Sequence, residues 1–227
     1  MRAFILSPHF DDAVIDCYSV LNQTKSTVIT IFAGIPNAQT RSLWDWLCGN
    51  ANSHQMVKAR IEENRRALAV TDARIINLDF LDHQYRKPTV APQLIANQLV
   101  NKIPTNTDVY APLALSRVFR HGDHELVRNA ALSLAPNHQL FLYPDIPYMR
   151  LGHNADIAAN TIVKTAAKTL GIKLEPVIVK LSVSDIENKL RLIKLYETQY
   201  RPTNLVSLGG LSRLKRLDYE LFFKLVN

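Results

Sequence analysis

The sequence predicts an α/β protein of Rossmann-like type, a mostly parallel sheet with helices on both faces, and three observations carry that expectation. Short apolar or β-branched runs alternate with stretches whose apolar residues recur at spacings near 3 and 4, the pattern of successive strand-helix crossovers. The chain has 227 residues, 47% of them hydrophobic and 21% charged, which suits one domain over residues 1–227 with its own core. Titratable side chains also gather where inferred strands end, the place at which open parallel sheets hold their ligands.

Each element follows from its composition. "RAFILS" (2–7) is a short apolar run suited to a central strand, and "DDAVIDCYSVLN" after it has helical spacing. "STVITIFAG" (26–34) is β-branched and ends at a glycine, so it reads as the second strand. Residues 35–54, with Pro36, Asn37 and Gly49, read as a loop of functional length. "HQMVKARIEENRRALAV" (54–70) is a charged amphipathic helix, and "ARIINLDFL" (73–81) the next strand with its exit. Then follow a helix over 91–103, a strand over 107–113, a helix over 123–135 and a strand over 139–144. The tail offers a helix after Asn154, a β-rich stretch over 173–183, a long helix from Ser184 to about Tyr200 and a final helix near 217–226. No internal repeat, low-complexity tract or linker divides the chain.

Composition narrows the chemistry. No apolar run approaches the roughly 18 to 20 residues that span a bilayer, and "MRAFILSPHF" is too soon interrupted for a secretory signal, so a cytoplasmic address is expected. Cys17 and Cys48 form no CxxC pair, which fits a reducing compartment and argues against a thiolate zinc site. A metal held here uses nitrogen and oxygen. The net charge is +7, with ten basic and six acidic residues over 171–227. Such a bias favours an anionic substrate, a membrane surface or nucleic acid, or serves only solubility, and no nucleic-acid motif accompanies it.

Two segments carry the candidate chemistry. In "SPHFDDAVID" (7–16), His9, Asp11 and Asp12 follow the first strand, and the H-x-D-D spacing lets His9 and Asp12 converge while Asp11 projects beside them. Alone the motif is weak, because Asp before a helix is commonly an N-cap. In "RHGDHELVRNAA" (120–131), however, His121, Asp123 and His124 open a helix after another strand and its loop. His121 and His124, three apart, look from one helical turn toward the same crevice, although Asp123 also suits a plain first-turn acid. His9, Asp12 and His124 together make a two-histidine, one-carboxylate set, a zinc coordination that leaves a position for water and so points to hydrolysis. Asp11, beside a ligand but free of the metal, is then the natural general base.

"PHFDDA" and "HGDH" resemble the signatures of the PIG-L/LmbE family of zinc-dependent de-N-acetylases. The likeness extends to "RIEENRRA", "LDFLDHQYR", "YPDIPY" and "KLRLIKLYETQ", and so to most of the chain. The resemblance implies an LmbE-like fold, one Zn2+ per chain or another divalent transition metal held by His9, Asp12 and His124, and Asp11 as base to the metal-bound water. It further implies His121 as the group stabilising the oxyanion, Asp123 orienting His121, and Arg60 and Asp82 contacting substrate hydroxyls with Tyr85 and Arg86 nearby.

The sequence departs from the family pattern at Phe10, Ala13 and Gly122, and at Asp16, Cys17, Tyr18 and Ser19, where glycines are common. None of these removes an expected ligand, but they bear on substrate choice. His54, His83, His138 and His153 match no ligand position. The expected activity is removal of an N-acetyl or N-acyl group from a small-molecule amino sugar or glycoconjugate, GlcNAc-containing, with peripheral membrane contact compatible with the charge. The alternatives are a non-catalytic carbohydrate- or lipid-binding member of the fold, a basic nucleic-acid-binding protein, or a metal hydrolase acting on a phosphoester. The last usually needs more oxygen ligands or a second metal, and no second cluster is read from the sequence.

Overall fold

A computed structural model describes residues 2–115, 122–146, 149, 151–200, 214 and 217–226. Seven strands form one sheet in the order β3-β2-β1-β4-β5-β7-β6. The strands are β1 (Ala3–Ser7), β2 (Ser26–Thr30), β3 (Arg74–Asn77), β4 (Asp108–Pro112), β5 (Gln139–Tyr143), β6 (Lys173–Lys180) and β7 (Tyr219–Val226). The first five run parallel, and β7 pairs antiparallel with both β5 and β6. Every residue of β1 and β2 is buried, as expected of parallel strands covered on both faces.

Chain order fixes where a ligand pocket can form. From β1 the chain steps outward through α1 (Asp12–Asp16) and α2 (Tyr18–Gln23) to β2, and then through α3 (Leu43–Leu47) and α4 (Ser53–Leu68) to β3. It returns through α5 (Pro92–Val100) to β4 on the other side of β1, and continues through α6 (Gly122–Leu132) to β5. Right-handed crossovers running in opposite directions put the two sets of helices on opposite faces. Accordingly α5 packs on α6, while α1 packs on α8 (Val183–Ile193). The carboxyl ends of β1 and β4 therefore flank the switch point, the place at which open sheets of this kind hold their ligands.

Three expectations for the later and looped segments need correction. The stretch near 217–226 is a strand, not a helix. Its Tyr, Phe and Val residues suit a pleated surface, and β7 is inserted between two strands that satisfy its backbone on both edges. The long helix expected from Ser184 to Tyr200 stops at Ile193, turns at 194–195 and is helical again over 197–200. The break coincides with tertiary bonds: the Tyr196 hydroxyl donates to Asn64 Oδ1 at 2.9 Å, and Thr198 N and Oγ1 bond the Glu63 carboxylate at 2.9 and 2.7 Å, drawing the chain onto α4. The segment 35–54 is not all loop, because it contains α3, whose N-cap Ser42 accepts from Trp44 N and Asp45 N. The helix expected after Asn154 is α7 (Ala155–Leu170), ended by Gly171 at φ +67°.

Two packing details bear on the crevice. The first helix is broken at Cys17, and Glu220 of β7 covers the new N-terminus, its carboxylate accepting from Tyr18 N (3.0 Å), Ser19 N (2.8 Å) and Ser19 Oγ (2.6 Å). Lys189 Nζ neutralises that carboxylate at 2.6 Å, both groups being buried. Gly34 lets the exit of β3 lie against the end of β2, since a Cβ there would stand 2.9 Å from the backbone of Asp79 and Phe80. This close approach brings Asp82 toward the end of β1.

Candidate metal centre

The turn after β1 is held by its own side chains. Ser7 Oγ donates to His9 O at 2.5 Å and accepts from Ala13 N at 3.1 Å, while Asp12 Oδ2 accepts from His9 N at 2.7 Å. These bonds fix His9 and Asp12 on one side of a tight corner. Across the switch point, α6 begins at Gly122, so Asp123 and His124 lie in its first turn.

The two segments meet. One donor atom from each of His9, Asp12 and His124 lies within 4.8 Å of the others, with His124 and Asp12 buried and His9 partly so. His9 Nδ1 is 3.7 Å from Asp12 Oδ2, and His124 Nε2 is 3.6 Å from Asp12 Oδ1, so the carboxylate stands between the rings. Their far nitrogens are also occupied. His124 Nδ1 is 2.6 Å from Asp145 Oδ1, and His9 Nε2 is 3.3 Å from Asp123 Oδ2. Ligating histidines characteristically give their other nitrogen to a carboxylate, which fixes tautomer and ring orientation. The donor set and its supporting acids thus fit a divalent cation of borderline softness such as zinc.

A second group, His9, Asp82 and Asp123, satisfies the same distance criterion. It shares His9 with the first and uses the opposite ring nitrogen, and cations already sit on its acids. Arg86 Nη2 donates to Asp123 Oδ1, and His83 Nδ1 is 2.8 Å from Asp82 Oδ1. We read this group as the support of His9.

Asp11 stands apart from both groups. Its Oδ1 accepts from Gln199 Nε2 at 2.8 Å, and its side chain is buried. Burial and the neighbouring Asp12 push its carboxyl up to about 6. Burial alone would lower the His124 imidazole, but Asp12 and Asp145 outweigh it and lift it to about 9. Burial would likewise lower His9, yet the net shift is upward through Asp123, Asp82 and Asp12. For Asp123 burial acts upward, and His83, His9 and Arg86 hold it well below the usual carboxylate range. Hydrogen bonds to Asp123 and Asp82 raise His83 to about 10.

The remaining expected residues take these places. Asp82 is buried at the pocket, Oδ2 3.7 Å from His9 Nε2, and N-caps the short turn His83–Tyr85. Arg60 is buried on α4 and bonds Asp45 Oδ1 at 2.9 Å and the Tyr85 hydroxyl at 3.2 Å, while that hydroxyl donates to Asp45 Oδ2 at 2.7 Å. Asp123 bonds His9, Arg86 and the His83 N–H. His121, the partner expected for Asp123, lies outside the described residues. Sequence reasoning missed the roles of Asp145, Gln199 and Asp45. Asp145 carried the same signal as His9, an acid just beyond an inferred strand, whereas Asp45 and Gln199 find partners too distant in sequence to be read.

Fold and site together define a class, a doubly wound α/β protein with a His-Asp-His cluster able to hold a cation at the switch point of its sheet. Residues 4–135 match the PIG-L family, described as GlcNAc-PI de-N-acetylase. The chain belongs to that family and is a deacetylase, a hydrolase of amide bonds. No curated protein matches the chain in sequence. Among solved structures it is similar to a zinc-inhibited form of teicoplanin deacetylase (20% identity, TM-score 0.75, covering 100% of this chain and 98% of that one). It is also similar to the A40926 pseudoaglycone deacetylase (24%, 0.74, 99% and 97%) and to N,N'-diacetylchitobiose deacetylase of Pyrococcus horikoshii (14%, 0.58, 99% and 83%). Among the described residues no helix is long and apolar enough to cross a membrane.

Proposed function

We propose that the protein removes the N-acetyl or a related N-acyl group from a GlcNAc-containing amino sugar, using one zinc ion held by His9, Asp12 and His124. The observation that carries this reading is the convergence of those three donors within 4.8 Å while Asp11 is engaged elsewhere, by Gln199. When bound, such an ion supplies Lewis-acid polarisation of the amide carbonyl and lowers the pKa of water. Asp11 accepts the proton of the attacking water and returns it to the departing nitrogen, so that amide and water yield carboxylate and amine. Asp11 is buried and its Oδ1 is bonded by Gln199 Nε2, which holds the carboxylate in place for that role.

His121 is kept as the oxyanion-stabilising residue on the strength of the family resemblance. Asp82, buried beside His9, is proposed to meet a substrate hydroxyl. Arg60 is proposed to serve the sugar from the wall it builds with Asp45 and Tyr85, since its guanidinium is already bonded to both. The names of two similar structures, deacetylases of N,N'-diacetylchitobiose and of a pseudoaglycone, support a carbohydrate-bearing substrate.

The test is metal analysis of the purified protein followed by a screen of N-acetylated amino sugars for released primary amine. His124→Ala is expected to lose both the metal and the hydrolysis. Full activity in that variant would end the assignment.

A further inference from the structure

Both tryptophans of the chain, Trp44 and Trp46, lie on α3, a helix of five residues. It turns Leu43 (74% exposed), Trp46 (63%) and Leu47 (56%) to solvent, and Ile35 is exposed on the segment leading to it. Single exposed apolar residues are ordinary, but three in one helical turn make a patch. The patch is also braced. Asp45, fully buried on the inner side of α3, is bonded to Arg60 and Tyr85, and the N-cap Ser42 donates to Gln84 Oε1 at 2.5 Å. Among the described residues, this helix, pinned by a buried ion pair and yet apolar outward, has an unpartnered face.

In sequence, the charges that flank α3 are basic. In the two segments bonded together there, 35–58 and 83–91, the only acid is Asp45, which is buried and paired with Arg60, whereas Arg41, Lys58 and Lys87 are all exposed. A tip of Trp and Leu with Arg41 beside it in the chain, and Lys87 three residues beyond the bonded Gln84, has the chemistry of attachment to an anionic lipid surface. The apolar side chains enter the headgroup boundary and the cations meet the lipid charge.

We propose that α3 docks on an anionic lipid bilayer, with Leu43, Trp46 and Leu47 entering the interface and Arg41 and Lys87 facing the headgroups. The surface adjoins the metal centre through a chain of contacts. Ser42 bonds Gln84, Gln84 Nε2 donates to Asp82 Oδ2 at 3.0 Å, and Asp82 lies 3.7 Å from His9. Docking therefore holds the pocket beside the membrane. The inference stands on exposure and charge and needs no part of the proposed reaction.

Because no tryptophan lies elsewhere, tryptophan emission excited selectively, beyond the tyrosine absorption band, reports on α3 alone. Vesicles of mixed phosphatidylglycerol and phosphatidylcholine are expected to shift the emission to the blue and to sediment the protein. Pure phosphatidylcholine should do neither, and salt at about three times the physiological level should reverse the effect. Leu43→Ser/Leu47→Ser keeps both tryptophans and every buried contact. It is expected to lower vesicle partitioning about tenfold or more, with the circular dichroism spectrum and hydrolysis of a soluble substrate unchanged. Absence of any shift with anionic vesicles would overturn the proposal. So would equal binding to neutral vesicles, partitioning untouched by the double substitution, or a shift that follows protein concentration and not lipid, which would mark the face as a contact between copies.

Discussion

His124 Nδ1 lies 2.6 Å from Asp145 Oδ1, and the other oxygen of that carboxylate accepts the Ala114 N–H at 2.5 Å. One acid at the end of β5 therefore orients an imidazole of α6 and pins the loop that leaves β4. Ala114 needs the help, since it sits at φ +49°, a left-handed conformation that costs a residue with a Cβ about 1 kcal/mol. Asp145→Ala is expected to weaken zinc affinity about 10- to 100-fold while leaving His9, Asp12 and His124 in place. Asp145→Asn, which retains an acceptor, should lose less. Competition against a chromogenic chelator measures both, and wild-type affinity in the alanine variant would refute the orienting role.

Asp11 differs from Asp12, its neighbour in sequence, in what it touches. Asp12 stands between the two imidazoles, whereas Asp11 bonds Gln199. Asp11→Asn is therefore expected to keep the metal content and lower kcat by about 10²- to 10⁴-fold, the usual worth of a positioned proton shuttle. Elemental analysis and steady-state rates on the same preparation decide the matter. Loss of metal in this variant would make Asp11 a ligand instead of a base.

The buried Lys189–Glu220 pair joins α8 to β7, and Glu220 also covers the α2 N-terminus. Lys189→Met removes the only cation bonded to that carboxylate among the described residues. The expected loss of stability is about 3 to 5 kcal/mol, the penalty of an uncompensated buried charge. A urea midpoint unchanged by the substitution would show that Glu220 is solvated or protonated in the folded protein.

Much of the candidate metal centre was legible because strand ends can be read from local pattern and ligand types are few. His9, Asp12 and His124 each follow a strand, so the parallel order of β1 and β4 was enough to bring them together. The C-terminal segment was harder, because "DYELFFKLV" has apolar residues on both sides of a strand, and continuous apolarity fits a buried strand and a helix alike. α3 is too short for periodicity to register. The buried polar face of α4, with Arg60, Glu63 and Asn64, reads in sequence as ordinary surface charge, since its partners Asp45, Thr198 and Tyr196 come from elsewhere.

The raised imidazole of His124 gives the candidate metal centre a definite pH signature. A histidine lifted from 6.5 to about 9 stabilises the metal-free fold fully below about pH 6.5, and that contribution is lost as pH rises through about 9. Zinc requires the unprotonated ring, so uptake below about pH 9 displaces a proton from His124, and affinity falls about tenfold per pH unit on its account alone. The two trends oppose each other. Between pH 6 and 9 the chelated protein should lose thermal stability while the difference in Tm between zinc-loaded and chelated protein widens. Calorimetry in buffers of different ionisation enthalpy should also register about one or more protons released per zinc at pH 7. His9 is raised in the same direction. A gap in Tm independent of pH, with no proton released, would mean that the carboxylates around the pocket do not hold these imidazoles charged in the absence of metal.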